Sequence, residues 1–243
     1  MNGWRAMRPG GAPAMAARRA AGSGGAGCVA PRVAPPRPGD ALLVVDVQRD
    51  FLPGGSLAVP GGNAIIKPVK ACIDRFCARG LPVFASRDWH PPNHVSFKAQ
   101  GGPWPPHCVA GTPGAEFAAA LGLPGVAMIV PKGCKPGRDA YSAFDGTELH
   151  RQLRALGVNR LFVVGLATDY CVLASVLDAR SLGYAVVLLR DAVAAVDVMP
   201  GDGELALARM AEAGVATVDS ASLQPAPTPA VSAVPRRAPA RAP

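Results

Sequence analysis

ALLVVDV, residues 41–47, is a short and almost wholly apolar run interrupted near its end by the carboxylate of Asp46. Its length and its lack of polar alternation are those of a strand covered on both faces. Five runs of the same character follow: LPVFAS (81–86), VAMIVP (126–131), RLFVVGL (160–166), YAVVLLRDA (184–192) and VATV (215–218). Helical periodicity occupies most of the gaps, over Ala64–Ala78, Glu148–Leu156, Asp169–Leu182 and Gly203–Ala213. Gly80, Gly157, Gly183 and Gly214 each sit just beyond one of these patterns, where glycine relieves a left-handed cap. Strands alternating with helices predict an α/β fold: a single domain over residues 40–223 built on a doubly wound, mostly parallel six-stranded sheet with helices on both faces. No internal repeat is visible.

The 243 residues carry 25 Lys plus Arg against 17 Asp plus Glu, a net charge of +8. That charge is not spread evenly. Residues 1–39 contain six Arg and no acid, and residues 224–243 contain three Arg and no acid. The body between them has 16 basic and 17 acidic residues, a net of −1. A nucleic-acid partner is therefore not expected, because that reading needs basic side chains clustered on a folded face. No window of ~20 apolar residues suggests a membrane span. The Ala/Gly/Pro/Arg composition of residues 1–39 is that of an organelle-import presequence, for plastid or mitochondrion, with a leader of no address and a cytosolic protein as the alternative. GSGGAG (22–27) within it matches GxGxxG formally but lacks the preceding strand and following helix that would give it meaning. The Pro/Ala/Arg-rich residues 224–243 are expected to be unstructured. Six cysteines with no CxxC spacing are too few for a disulfide scaffold and suit a reducing compartment.

In doubly wound sheets, ligands bind outside the carboxyl ends of the strands. The residues at or just after those ends are Asp46 and Asp50, Asp88 and His90, Lys132, and Asp169 and Cys171. Cys171 begins a helical pattern, with Thr168 or Asp169 as its N-cap. A thiol in the first helical turn faces the positive end of the dipole, which favours a nucleophilic thiolate. A carboxylate such as Asp46, next to an apolar sheet, has a raised pKa and can exchange protons with a thiol and a leaving group. Lys132 can hold a thiolate by charge. Asp88, His90, His94 and His107 gather one carboxylate and three of the four histidines within twenty residues, a donor set suited to zinc, iron or manganese. Cys72 and Cys77 read as inert buried thiols, and His150 as a surface residue.

Five blocks together resemble the nicotinamidase and pyrazinamidase branch of the isochorismatase-like cysteine hydrolases: VVDVQRDFLPGGSLAVPGG (44–62), ASRDWHPPNHVSF (85–97), WPPHCVAGTPGAEF (104–117), KGCKPGRDAYSAFDG (132–146) and GLATDYCV (165–172). The resemblance implies a hydrolase that converts nicotinamide and water to nicotinate and ammonia through a thioester, a step of NAD salvage. It implies that Cys171 is the nucleophile, Asp46 the proton-transferring carboxylate and Lys132 the third member of the triad. It further implies that Asp88, His90, His94 and His107 hold one divalent metal, zinc first and iron or manganese otherwise, against the pyridine nitrogen. Phe51, Trp104 and Tyr141 would surround the ring. The amides of Ala167 and Cys171 would form the oxyanion hole beside a cis bond between Leu166 and Ala167.

Two other readings stand beside this one. The chain could be a related amidohydrolase acting on another small amide, or a non-catalytic, ligand-binding member of the same fold. The sequence leaves open the metal, the preference between nicotinamide and pyrazinamide, and whether subunits assemble.

Overall fold

The computed structural model describes residues 33–223. Strand β1 (Asp40–Val45) grows from the 41–47 run, and β2 (Val83–Asp88), β3 (Met128–Lys132), β4 (Arg160–Leu166), β5 (Ala185–Ala194) and β6 (Ala216–Val218) grow from the other five. They form one sheet in the order β3-β2-β1-β4-β5-β6, and every pairing is parallel. The expected sheet is thus present, and it is wholly rather than mostly parallel. Helix α1 (Ile66–Cys77) follows β1, α2 (Leu149–Ala155) precedes β4, α3 (Leu173–Ser181) links β4 to β5, and α4 (Asp202–Glu212) links β5 to β6.

The near-continuous apolar strands are explained by what lies on each face. Leu42 and Val44 of β1, with Phe162 and Val164 of β4, pack against Val69, Ile73 and Phe76 of α1. Their alternates Ala41, Leu43 and Val45, with Leu161 and Val163, pack against Leu149 and Leu153 of α2, Val176 of α3 and Met210 of α4. Successive side chains point to opposite faces, so only a strand apolar at every position can fill both layers. Each large side chain buried there contributes about 1.5–3 kcal/mol. The four glycines placed after the helices have φ between 64° and 90°, as expected of helix ends.

Two departures shape the site. The β2-to-β3 connection contains no α-helix; residues 89–127 run as loops and short 3-10 turns. An isolated bridge between His90 and Val109 folds this segment back on itself, and another between Gln48 and Phe117 ties it to the stretch after β1. At the start of α3, residues Thr168–Val172 form a π-helical turn rather than regular helix, with no side-chain cap from Thr168 or Asp169. The Asp169 carboxylate instead accepts the amides of Val196 at 2.9 Å and Asp197 at 3.0 Å, tying the loop after β5 to this turn.

Candidate active site

The carboxyl ends of β1, β2, β3 and β4 converge between the two strand halves, where the order of the sheet reverses. Asp46 directly follows β1 with a left-handed φ of 48°, a conformation uncommon for a non-glycine residue and found where surroundings enforce it. Asp88 ends β2 and Lys132 ends β3. After β4 the Leu166–Ala167 bond is cis, and the π turn that follows carries Cys171. Gly165, just before that bond, has a φ of 121°, and a Cβ there would lie 2.0 Å from the Val45 carbonyl oxygen. Only glycine lets β4 pass this close to β1.

One buried ammonium joins these residues. Lys132 Nζ lies 3.0 Å from Asp46 Oδ2 and 2.6 Å from Asp88 Oδ1. It also donates to the Ala140 carbonyl at 3.0 Å and lies 3.4 Å from Cys171 Sγ. Burial would lower the Lys132 pKa, but the two carboxylates hold it well above the ordinary value, so it stays charged. Burial also pushes on Asp88, yet Lys132 and then His90 hold that carboxyl far below the usual range. At Asp46 burial wins over Lys132, and the charge of Asp88 adds to it, so the pKa is raised. Ser86 Oγ donates to Asp46 Oδ1 at 2.7 Å, which leaves Oδ2 facing Lys132.

Cys171 corrects the expectation drawn from the helix dipole. Burial pushes its thiol well above the ordinary value, Lys132 opposes this, and the charges of Asp46 and Asp88 reinforce it. Cys171 and Asp46, both raised, thus stand side by side. A helix end contributes on the order of 1 kcal/mol, which two nearby carboxylates and full burial outweigh.

The second group is built on residues 88–107. Asp88, His90 and His107 bring one ligand atom each within 4.8 Å of one another. His90 Nδ1 lies 3.0 Å from the Gly133 carbonyl and His107 Nδ1 lies 2.9 Å from the Pro105 carbonyl. A carbonyl only accepts, so each Nδ1 carries the hydrogen, and in the neutral ring each Nε2 keeps a lone pair for a metal. Two oriented imidazoles and a carboxylate fit a divalent metal with room for further ligands. Asp88 beside His90 raises that imidazole against the pull of burial, which marks a local field favourable to a cation. Asp46, Asp88 and Cys171 also approach one another closely, but the Lys132 ammonium already bonds to that cluster, which fits proton transfer better than a metal.

His94 is not drawn into the metal group. Its Nε2 lies 3.0 Å from the Arg138 carbonyl and must donate there, while its Nδ1 lies 2.7 Å from Ser96 Oγ. Both nitrogens are spent, and the ring stacks on His90 at 4.0 Å between centroids. So placed, the ring forms a wall beside His90.

The thiol and the Asp88–His107 side face one pocket. Phe51, Trp104 and Tyr141 line it, with Leu166 of the cis bond and with Leu57, Val59 and Tyr170, which the sequence does not single out. Trp104 Nε1 donates to Tyr141 Oη at 3.2 Å, and Trp104 and Tyr170 meet edge to face at 5.9 Å. Tyr170 could have been inferred from its place beside Cys171; Leu57 and Val59 arrive through a loop with no periodic signal. Cys72 is buried, with its thiol pushed up to about 12, whereas Cys77 is exposed, contrary to expectation. His150 is half-buried, its Nδ1 lying 3.0 Å from Tyr184 Oη. The five cysteines among the described residues are all free thiols.

A family model for the isochorismatase domain matches residues 40–222. The chain belongs to the isochorismatase family. Among members of that family it is 41% identical to a nicotinamidase of Escherichia coli over 201 residues, which cover 74% of this chain and 93% of the relative. A pyrazinamidase of Pyrococcus horikoshii, solved in complex with zinc, is 50% identical with a TM-score of 0.72, covering 75% of this chain and 99% of its own. PnC1 from L. infantum, solved in complex with nicotinate, is 39% identical with a TM-score of 0.71, covering 78% and 97%. The TM-scores show that these two structures share the overall fold described above.

Proposed function

We propose that this protein is a metal-dependent cysteine amidohydrolase that converts nicotinamide and water to nicotinate and ammonia. The observation that carries the reading is the buried Lys132 ammonium, in reach of Asp46, Asp88 and Cys171 at once, at the end of an aromatic pocket. The names of the relatives support the substrate, and the arrangement of the thiol and carboxylate supports the chemistry.

In this reading Asp46 takes the Cys171 proton as the sulfur attacks the amide carbon, so that the thiolate exists only as it reacts. Lys132 holds Asp46 in place and offsets the charge that develops. The amides of Ala167 and Cys171, both at the pocket wall, receive the oxyanion. Asp46 then passes its proton to the departing nitrogen, ammonia leaves, and a thioester remains. Water, deprotonated by Asp46, attacks the thioester; nicotinate departs and the sulfur recovers its proton. Asp88, His90 and His107 would hold the metal, zinc by preference, whose Lewis acidity would orient the ring through its pyridine nitrogen. Phe51, Trp104 and Tyr141 flank the ring and exclude water.

This activity places the protein in NAD salvage. Residues 1–32 of the arginine-bearing, acid-free segment 1–39 lie outside the described residues, as do residues 224–243; their composition supports an import address ahead of the hydrolase domain and a loose tail behind it. Imaging a fusion of residues 1–39 tests the address. No helix among the described residues is long and apolar enough to cross a membrane. The decisive experiment is ammonia release from nicotinamide, pyrazinamide and other small amides by the full chain, beside Cys171→Ala. Turnover of nicotinamide that falls by about 10⁵-fold or more in the variant, with metal retained, is expected. A metal-loaded parent that releases no ammonia from nicotinamide would exclude the reading.

A further inference from the structure

Two residues just beyond β1 take no part in the chemistry above, yet both are bonded to the segments that carry the metal-binding group. Asp46 turns the chain out of the sheet, so Asp88, two residues beyond the last β1–β2 pair, has lost its strand neighbour on that side. Gln48 replaces it. Its Oε1 accepts the Asp88 amide at 2.8 Å and its Nε2 donates to the Asp88 carbonyl at 2.8 Å and to the Ala115 carbonyl at 2.9 Å. A fully buried side-chain amide thus pairs with both backbone groups of a metal-binding residue, as a strand would.

Asp50 reaches the two histidines. Its Oδ2 accepts the Cys108 amide at 2.7 Å, and its Oδ1 accepts the Ser56 amide at 3.3 Å. Cys108 follows His107 directly and is held at a left-handed φ of 46°. The Cys108 carbonyl in turn accepts the His90 amide at 3.0 Å, and the His90 carbonyl accepts the Ala110 amide at 2.8 Å. The Asp50 carboxylate lies so close to Gly114 that a Cβ there would sit 2.2 Å from Oδ2.

We propose that Gln48 and Asp50 are positioning residues for the metal-binding group, Gln48 setting Asp88 and Asp50 setting His90 and His107. The stretch that leaves the proton-transferring Asp46 therefore also registers the metal donors against it. The proposal rests on the reading that Asp88, His90 and His107 hold a divalent metal.

The test uses the full chain, stripped of metal, and measures Zn²⁺ affinity by competition with a chromophoric chelator, beside thermal melts and iodoacetamide alkylation at Cys171 read by mass spectrometry. Gln48→Ala and Asp50→Ala are expected to lose about 10–100-fold in zinc affinity, the usual effect of removing an outer partner of a metal ligand. Asp50→Asn keeps the volume and one acceptor, and is expected to lose less. Gly114→Ala displaces the carboxylate and is expected to follow Asp50→Ala. Cys171 alkylation in the metal-free proteins stays at the parental rate if the effect is on the metal group alone. Folded alanine variants with parental zinc affinity overturn the proposal, as does a loss of affinity matched by an equal change in Cys171 alkylation. Should the alanine variants fail to melt cooperatively, Asp50→Asn and Gly114→Ala decide by the same criteria. A parent that takes up no zinc overturns the metal reading itself, a result distinct from parent and variants binding alike.

Discussion

Lys132 Nζ lies 2.6 Å from Asp88 Oδ1, and the other oxygen of that carboxylate stands 3.5 Å from His90 Nε2. Asp88 is therefore shared between the proton-transfer group and the metal-binding group, whereas His107 touches only the latter. The two positions should separate in mutagenesis. His107→Ala is expected to lose zinc affinity by more than the ~10–100-fold typical of an outer partner, with alkylation at Cys171 unchanged. Asp88→Asn should lose zinc and alter Cys171 alkylation together, because Lys132 then has one carboxylate fewer. Zinc content after dialysis and alkylation rates check both, and full zinc retention by His107→Ala would refute the ligand assignment.

The same ammonium has a measurable structural role. Without it, Asp46 and Asp88 would be buried with no counter-charge, since both lean on Nζ. Lys132→Met is expected to destabilise the fold by about 3–5 kcal/mol, the usual consequence of breaking a buried ion pair from one side. Adding Asp46→Asn removes one of the stranded charges and should restore part of that loss. Urea denaturation of the two single variants and the double gives the coupling directly; strictly additive losses would show that the three groups do not act as a unit.

In the proposed mechanism, proton transfer by Asp46 sets the acidic limb of the activity profile. The carboxyl must be ionised to accept the thiol proton, and burial raises its pKa above the ordinary 3.8. Activity is thus full above the raised value and lost as pH falls through it. The acidic limb of kcat/KM should lie distinctly above the usual aspartate range. A limb at or below 3.8 would mean that another group is the base.

Much of this arrangement is legible before folding, and the reason is physical. A strand covered on both faces must be apolar throughout, so the runs at 41–47 and 160–166 announce themselves, and the charged residues that interrupt or follow such runs fall at one edge of the sheet. Asp46, Lys132 and Cys171 were found this way. Burial is not legible in the same manner: Cys171 carries the helix-start signal of a thiolate, yet burial and two carboxylates push its pKa up. Nor does spacing say how a lone pair is spent. His94 has the spacing of a ligand, but the Arg138 carbonyl takes its Nε2 hydrogen. The crossover from 89 to 127 follows no period because long-range bonds, such as those from Gln48 and Asp50, fix it in place.

Gly133 joins the two groups through a backbone position. It follows Lys132, its carbonyl accepts from His90 Nδ1 at 3.0 Å, and its φ of 60° is one that side chains disfavour. A Cβ at this position would lie 2.4 Å from His90 Cε1 and 2.6 Å from Nδ1. Gly133→Ala therefore cannot keep both the left-handed turn and the present His90 ring position. The strain of a left-handed alanine costs on the order of 1 kcal/mol, a loss the fold can absorb, but the ring must move and its Nε2 leaves the common focus with Asp88 and His107. The expected outcome is a folded protein with sharply reduced zinc affinity and an intact Lys132–Asp46 pair, read as near-parental Cys171 alkylation. Retention of parental zinc binding in Gly133→Ala would show that the His90 ring position is not what fixes the metal donors.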